Sequence, residues 1–60
     1  MTEYNIDEIP ANILWASSCT TEATELIEQG FRSKDNRYLE KALDELRIAA
    51  IALLREIAGV

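Results

Sequence analysis

The sequence predicts an all-α fold, an antiparallel hairpin of two helices. Apolar residues recur at alternating intervals of four and three along two segments of similar length, which is the spacing of one side of a helix. Between them lies the only internal cluster of turn-forming residues, at 33–36. Two helices of equal length joined by a short loop pack side by side in opposite directions. We therefore expect one domain, with an amino-terminal arm over 1–7, helices over about 8–30 and 36–58, and a turn over about 31–35.

The first helix is predicted from its terminal signals and from one apolar stripe. Asp7 suits the N-cap, and Glu8 and Pro10 suit the first turn, because an acid complements the helix dipole and proline has no N–H to leave unpaired. Gly30 followed by Phe31 is typical of a helix end, with the glycine in the left-handed conformation and the phenylalanine folding back. The stripe that we expect to face the second helix comprises Ile9, Ile13, Ala16, Thr20, Ala23 and Ile27.

The second helix has the more regular apolar pattern. Asp35 or Asn36 suits its N-cap, and Gly59 suits its end. The stripe expected to face the first helix comprises Leu39, Leu43, Leu46, Ala50, Leu53, Ile57 and Val60. A second stripe comprises Ile48, Ile51, Leu54 and Ala58. A helix that is apolar nearly all round is normally buried on more than one side, whereas a single neighbouring helix covers only one side.

This excess of apolar surface predicts that the hairpin dimerises into a four-helix bundle. A chain of 60 residues has a thin core and usually needs a disulfide, a metal or a partner chain. Four of the six basic residues lie around the turn, and the open end carries acids, so two antiparallel hairpins would bring opposite charges together. A different protein covering the same stripe is the alternative. The interface is expected to contain Ile13, Ala16, Thr20, Ala23, Ile27, Leu46, Ile48, Ala50, Ile51, Leu53, Leu54 and Ile57.

The sequence offers little chemistry for catalysis or metal binding. It contains no histidine, the residue most often used for acid–base catalysis near neutral pH. Cys19 is the only cysteine, so neither an internal disulfide nor a tetrahedral zinc site is expected, and we interpret it as a small packed residue. The acids Glu22, Glu25 and Glu28 are interpreted as a solvated face. We expect no catalytic residues, no cofactor and no metal.

The turn is the strongest alternative site. Its basic residues Arg32, Lys34, Arg37 and Lys41 lie near two aromatic residues, a combination that binds phosphates and stacks on unpaired bases. Against a nucleic-acid site stands the net charge of −5, which disfavours non-specific binding to polyanions. Trp15 is a second candidate contact, either with a partner protein or, in the interpretation we favour, as a residue at the core edge.

Compartment and function are predicted mainly from what the sequence lacks. The amino terminus shows no secretory signal, and the longest apolar run, residues 48–54, is far shorter than the roughly 20 residues of a membrane span. We expect a cytoplasmic protein that does not act at a membrane. The leading hypothesis is a non-enzymatic protein–protein interaction module, a small regulator or adaptor that binds itself and another protein. The alternative is a small nucleic-acid-binding regulator that uses residues 32–41.

Overall fold

Two α-helices form an antiparallel hairpin. In the computed structural model, which describes residues 9–59, α1 spans Ala11–Ser33 and α2 spans Asn36–Ala58. Each has 23 residues, a length of about 35 Å at 1.5 Å per residue, and the two pack against each other along that length. The predicted all-helical hairpin is confirmed. Neither helix is long and apolar enough to cross a membrane.

The amino-terminal end of α1 differs from the prediction. The helix begins at Ala11, and Pro10 precedes it as the N-cap residue instead of lying in the first turn. The carbonyl oxygen of Pro10 accepts hydrogen bonds from the N–H groups of Ile13 and Leu14 at 3.0 and 3.1 Å, so the helix starts without a side-chain cap. The predicted arm over 1–7 and the predicted Asp7 cap lie outside the described residues.

The prediction that α1 ends at Gly30 is wrong. The helix continues to Ser33, and Lys34 adopts the left-handed conformation with φ 55° and donates its N–H to the carbonyl of Gly30. Phe31 lies within the helix and is 81% exposed instead of folding back. Gly30 is buried where α2 crosses, and a Cβ there would lie 2.9 and 3.1 Å from Cδ2 and Cγ of Leu39. The glycine therefore permits a close approach of the helices.

The amino-terminal end of α2 follows the prediction that Asp35 or Asn36 caps it. Asp35 is the N-cap, with its carboxylate accepting the backbone N–H of Arg37 at 3.0 Å. The cap satisfies one of the free N–H groups of the first turn. At the other end, Gly59 has φ 75° and closes the helix as predicted.

Small residues form the contact between the helices. The buried residues are Ala16, Cys19, Ala23 and Gly30 on α1, and Ala42, Ala49 and Ala52 on α2. The leucine stripe of α2 was predicted to form the contact with α1, and this prediction is wrong because the alanine stripe lies at the contact and the leucines flank it about half exposed. Only Lys34 and Asp35 link the helices, and the helices approach closely at Gly30 near this link. A short axial separation requires small side chains at the contact, so the alanine stripe is buried.

Candidate protein-binding faces

The large apolar side chains of α2 form an exposed stripe beside the alanine contact. At about 100° per residue, this stripe lies roughly a quarter-turn around the helix from Ala42, Ala49 and Ala52. Its large members range from 40% to 82% exposed. The stripe consists of Leu39, Leu43, Leu46, Ala50, Leu53 and Ile57.

A matching stripe on α1 lies on the same side of the hairpin. Ile13, Ser17, Thr20 and Thr24 line a shallow groove together with Leu53 of α2, which places both stripes on one surface. Ile27 continues the seven-residue spacing of Ile13 and Thr20, and the exposed Phe31 lies one turn beyond it. We call this combined surface, formed by the two stripes, the leucine face.

The threonines at the centre of the leucine face make their hydrogen bonds within α1. The hydroxyl of Thr20 donates to the carbonyl of Ala16 at 2.7 Å, and the hydroxyl of Thr24 donates to the carbonyl of Thr20 at 3.0 Å. A buried hydroxyl without a partner costs about 1–3 kcal/mol, and this cost does not arise where the hydroxyl bonds to its own helix. The face can therefore be covered at Thr20 and Thr24 without leaving a donor unpaired.

The exposed area of the leucine face is close to what one partner buries in a stable interface. None of its residues is charged. With about 150–200 Å² for a whole large side chain, the exposed parts of its large residues amount to roughly 600–750 Å². A standard interface buries about 800 Å² per partner, and the threonines, Ile13 and Ala50 add to the area. The large residues counted here are Ile27, Phe31, Leu39, Leu43, Leu46, Leu53 and Ile57.

The opposite surface of the hairpin is mixed and acidic. Its most exposed large apolar side chains are Trp15 and Ile48, which are 51% and 36% exposed. A shallow depression there is lined by Leu26 and by charged or polar side chains from both helices, namely Glu22, Glu25, Gln29, Lys41 and Glu45. We call this surface the acidic face. Trp15 is 51% exposed, so about half of its surface packs on the hairpin and the other half is available for a contact with another protein.

Cys19 is packed in the core, as the sequence predicted, with 5% of its surface exposed. Burial raises the pKa of its thiol, and a hydrogen bond with Glu45 and the charges of Glu45 and Glu22 raise it further, while a hydrogen bond with Trp15 acts in the opposite direction. The thiolate is the reactive form of cysteine. A thiol kept protonated in this way is poorly suited to nucleophilic chemistry.

The basic turn is partly engaged in a local ion pair. Arg37 donates from Nη2 to Oδ2 of Asp35 at 2.8 Å and from Nε to both carboxylate oxygens at 3.2 Å. These bonds from Arg37 hold the pKa of the Asp35 carboxyl below its usual value. Lys41 and Tyr38 line a shallow pocket with this pair, whereas Arg32 lies beside Phe31 at the end of the leucine face. The basic residues predicted to contact nucleic acid therefore do not form one site: Arg37 and Lys41 lie beside Asp35, and Arg32 lies beside Phe31.

The structure separates the residues predicted for an oligomer interface into three groups. Ala16 and Ala23 are buried between the helices of one hairpin and leave no surface for a second chain. Ile48 and Ile51 lie on other sides of α2, and Leu54 borders the leucine face. The remaining predicted residues share the leucine face: Ile13, Thr20, Ile27, Leu46, Ala50, Leu53 and Ile57.

Three large members of the leucine face were missing from the predicted interface, namely Phe31, Leu39 and Leu43. The sequence pattern could have placed Leu39 and Leu43 in the interface, because they belong to the same four-three repeat as Leu46 and Leu53. They were assigned instead to the contact within the hairpin. Phe31 carried no such signal once α1 was expected to end at Gly30.

Within residues 9–59, no group of three or more histidine, cysteine or acidic side chains is arranged to hold a metal ion. Glu22, Glu25 and Glu28 are all exposed. Comparison of the chain with protein-family models, with curated proteins and with solved structures finds no significant match. A functional proposal therefore has to be argued from the surfaces of the hairpin.

Proposed function

We propose that the chain is a non-enzymatic protein–protein interaction module that associates with itself through the leucine face to form a helical bundle. The observation that carries the proposal is an inversion of the usual core. Alanines and Cys19 are buried within the hairpin, while the large apolar residues of α2 are exposed. Large apolar side chains normally provide most of the hydrophobic stabilisation of a fold. In this hairpin they can provide it fully only when the surface of another chain covers them.

Energetic considerations support a second copy as the molecule that covers the leucine face. Full burial of a large aliphatic side chain contributes about 1.5–3 kcal/mol, and the face carries large residues that are 40–82% exposed. The gross gain amounts to several kcal/mol per chain and to twice that per dimer, because both copies bury the face, whereas the cost of association of about 4–15 kcal/mol is incurred once per dimer. A second copy is always present at the concentration of the chain itself, and two-fold dimers are the commonest oligomers.

A regulator or adaptor also needs a surface that self-association leaves free. The acidic face lies on the other side of the hairpin, where Trp15 and Ile48 are exposed and Glu22, Glu25 and Glu45 line a depression. Aromatic residues with a polar rim are typical of protein interfaces. We propose that this surface contacts another protein once the leucine face is covered.

A matched pair of variants tests the proposal. Leu46 and Ile48 lie two positions apart on α2 and are 40% and 36% exposed, but only Leu46 belongs to the leucine face. The substitution Leu46→Glu is expected to make the chain monomeric in light scattering after size-exclusion chromatography, and Ile48→Glu is expected to leave it associated. Association that survives Leu46→Glu, or is lost equally in both variants, would contradict the proposal.

Nucleic-acid binding through the turn is the competing function, and a binding assay with the same purified chain tests it. Binding of a single-stranded oligonucleotide that weakens steeply with salt, as phosphate contacts require, would favour it. The double substitution Arg32→Glu and Arg37→Glu should then abolish binding. We expect no binding at physiological salt, because Arg37 is held by Asp35 and the chain carries a net charge of −5.

A further inference from the structure

We infer that two copies pack with their leucine faces together and their turns at opposite ends, so that α1 lies on α1 and α2 lies on α2 of the second copy. This inference rests on the proposed self-association and specifies its geometry. It follows from the register of the two stripes within one hairpin and from the positions of the charges.

The first step is the register of the hairpin. Ala16, Cys19, Ala49 and Ala52 form one buried cluster, and in an antiparallel pair this sets Ala16 beside Ala52 and Cys19 beside Ala49. Near the turn, Gly30 lies against Tyr38 and Leu39, which agrees with the same register. Residues 20 and 48 therefore lie at the same height along the hairpin.

The second step is the symmetry of the leucine face about that height. On α1, Ile13 and Ile27 lie at equal distances in sequence on either side of Thr20. On α2, the same holds about position 48 for Leu43 and Leu53, and also for Leu46 with Ala50 and for Leu39 with Ile57. Apart from Phe31, the large residues of both stripes are thus centred at one height, as a two-fold axis perpendicular to the helices requires.

The third step is the fit that this axis produces. It places Ile13 of each copy on Ile27 of the other, Leu43 on Leu53 and Leu39 on Ile57, so that these large side chains meet other large ones, whereas Leu46 meets the small Ala50. Thr20 meets its own counterpart at the axis, where its hydroxyl already bonds to the carbonyl of Ala16. Small side chains at this crossing let the two α1 helices approach closely, and the α2 leucines fill the other side of the interface.

The charges distinguish this arrangement from the other two-fold packing of the same faces, in which both turns lie at one end. The turn region carries Arg32, Lys34, Arg37 and Lys41, four of the six basic residues of the chain. Placing both turns together would set these groups of like charge side by side. With the turns at opposite ends they are separated by about the length of a helix, roughly 35 Å, which far exceeds the Debye length of about 8 Å at physiological ionic strength.

A distance between spin labels at the two turns tests the inference. Cys19 is buried, so the substitution Cys19→Ala removes the native thiol with little change in volume, and Ser33→Cys then provides one exposed attachment site near the turn. Ser33 lies 13 positions from Thr20, or about 20 Å along the helix. We expect the two labels of a dimer to be about 40 Å apart in pulsed electron–electron dipolar measurements.

The possible results separate the arrangement from the proposed function. A label distance of about 10–20 Å would place both turns at one end, because neighbouring helices lie about 8–10 Å apart, and would overturn this inference while leaving self-association intact. As a control, Thr21→Cys in the same background sets the label near the proposed axis, where a short distance is expected. If neither variant shows a dipolar signal between chains, the chain is monomeric, and both the inference and the proposed self-association fail.

Discussion

The substitution Leu43→Ala tests the leucine face quantitatively, with Ile51→Ala as its matched control. The two residues lie on the same helix and are 49% and 52% exposed in the hairpin. At about 100° per residue they point to different sides of α2, and only Leu43 belongs to the leucine face. The two variants therefore remove similar amounts of exposed apolar surface from different places.

The expected effect follows from the exposed fraction of Leu43. Full burial of a leucine side chain contributes about 1.5–3 kcal/mol, and association can bury only the 49% that the hairpin leaves open. That amounts to about 1 kcal/mol per copy, and a two-fold dimer contains the residue twice. After allowing for the methyl group that alanine keeps, a loss of about 1.5–2 kcal/mol per dimer corresponds to a ten- to thirty-fold rise in Kd.

Sedimentation equilibrium at several loading concentrations measures this change. Leu43→Ala is expected to raise the dimer Kd ten- to thirty-fold, and Ile51→Ala is expected to leave it within about two-fold. Circular dichroism of both variants confirms that the helices form. The reasoning is refuted if Leu43→Ala leaves the Kd unchanged or if Ile51→Ala weakens the dimer equally.

Three further predictions concern the hairpin itself. Gly30→Ala should lower the free energy of unfolding by about 1 kcal/mol, because the Cβ would meet Leu39 at 2.9 Å and overpacking costs more than the gain in helix propensity; a stabilised variant in urea denaturation would contradict this. Asp35→Ala should lower the Tm at neutral pH, while Asp35→Asn keeps a capping oxygen and loses less. The folded pKa of Asp35 lies below its ordinary value of 3.8 because of its bonds with Arg37, so this stabilisation is present above about pH 4 and is lost as the pH falls through the folded pKa; a Tm difference that stays constant down to pH 2 would oppose this. Cys19 should react with a thiol reagent at pH 8 much more slowly in the folded chain than in urea, since it is 5% exposed, and equal rates would show that it is accessible.

The general fold could be predicted from the sequence because its signals are local. The alternation of four and three residues defines helices, and Asp35 at the boundary of the turn is a common N-cap. The position of Gly59 at the end of α2 was readable in the same way. Each of these features depends on residues within one or two turns of helix.

The contact between the helices could not be predicted in the same way. Periodicity identifies the apolar stripes of α2 but does not specify which of them meets α1. The four-three repeat of the leucines was the stronger pattern, whereas the buried stripe contains Ala42, Ala49 and Ala52. The two-residue link between the helices and the close approach at Gly30 select the alanine stripe, and both are properties of the folded chain.

Only part of the candidate site could be predicted, because periodicity does not specify which apolar stripe of α2 meets α1. The sequence indicated that α2 carries more apolar surface than α1 can cover, and the structure places that surface mainly at Leu39, Leu43, Leu46, Leu53 and Ile57. The interface predicted from sequence included residues on several sides of α2. Composition shows that α2 has more apolar residues than α1 can cover, but it does not show which side of the helix stays exposed. Only the register of the hairpin divides the leucine face from the acidic face.

The molecular mass of the unmodified chain in solution is the most direct test of whether a second copy covers the leucine face. One chain has a mass of 6.8 kDa. In sedimentation equilibrium between micromolar and millimolar concentration, we expect the weight-average mass to reach twice that value and to remain there. A mass that stays at 6.8 kDa up to millimolar concentration, in a chain that is folded and soluble, would contradict the account.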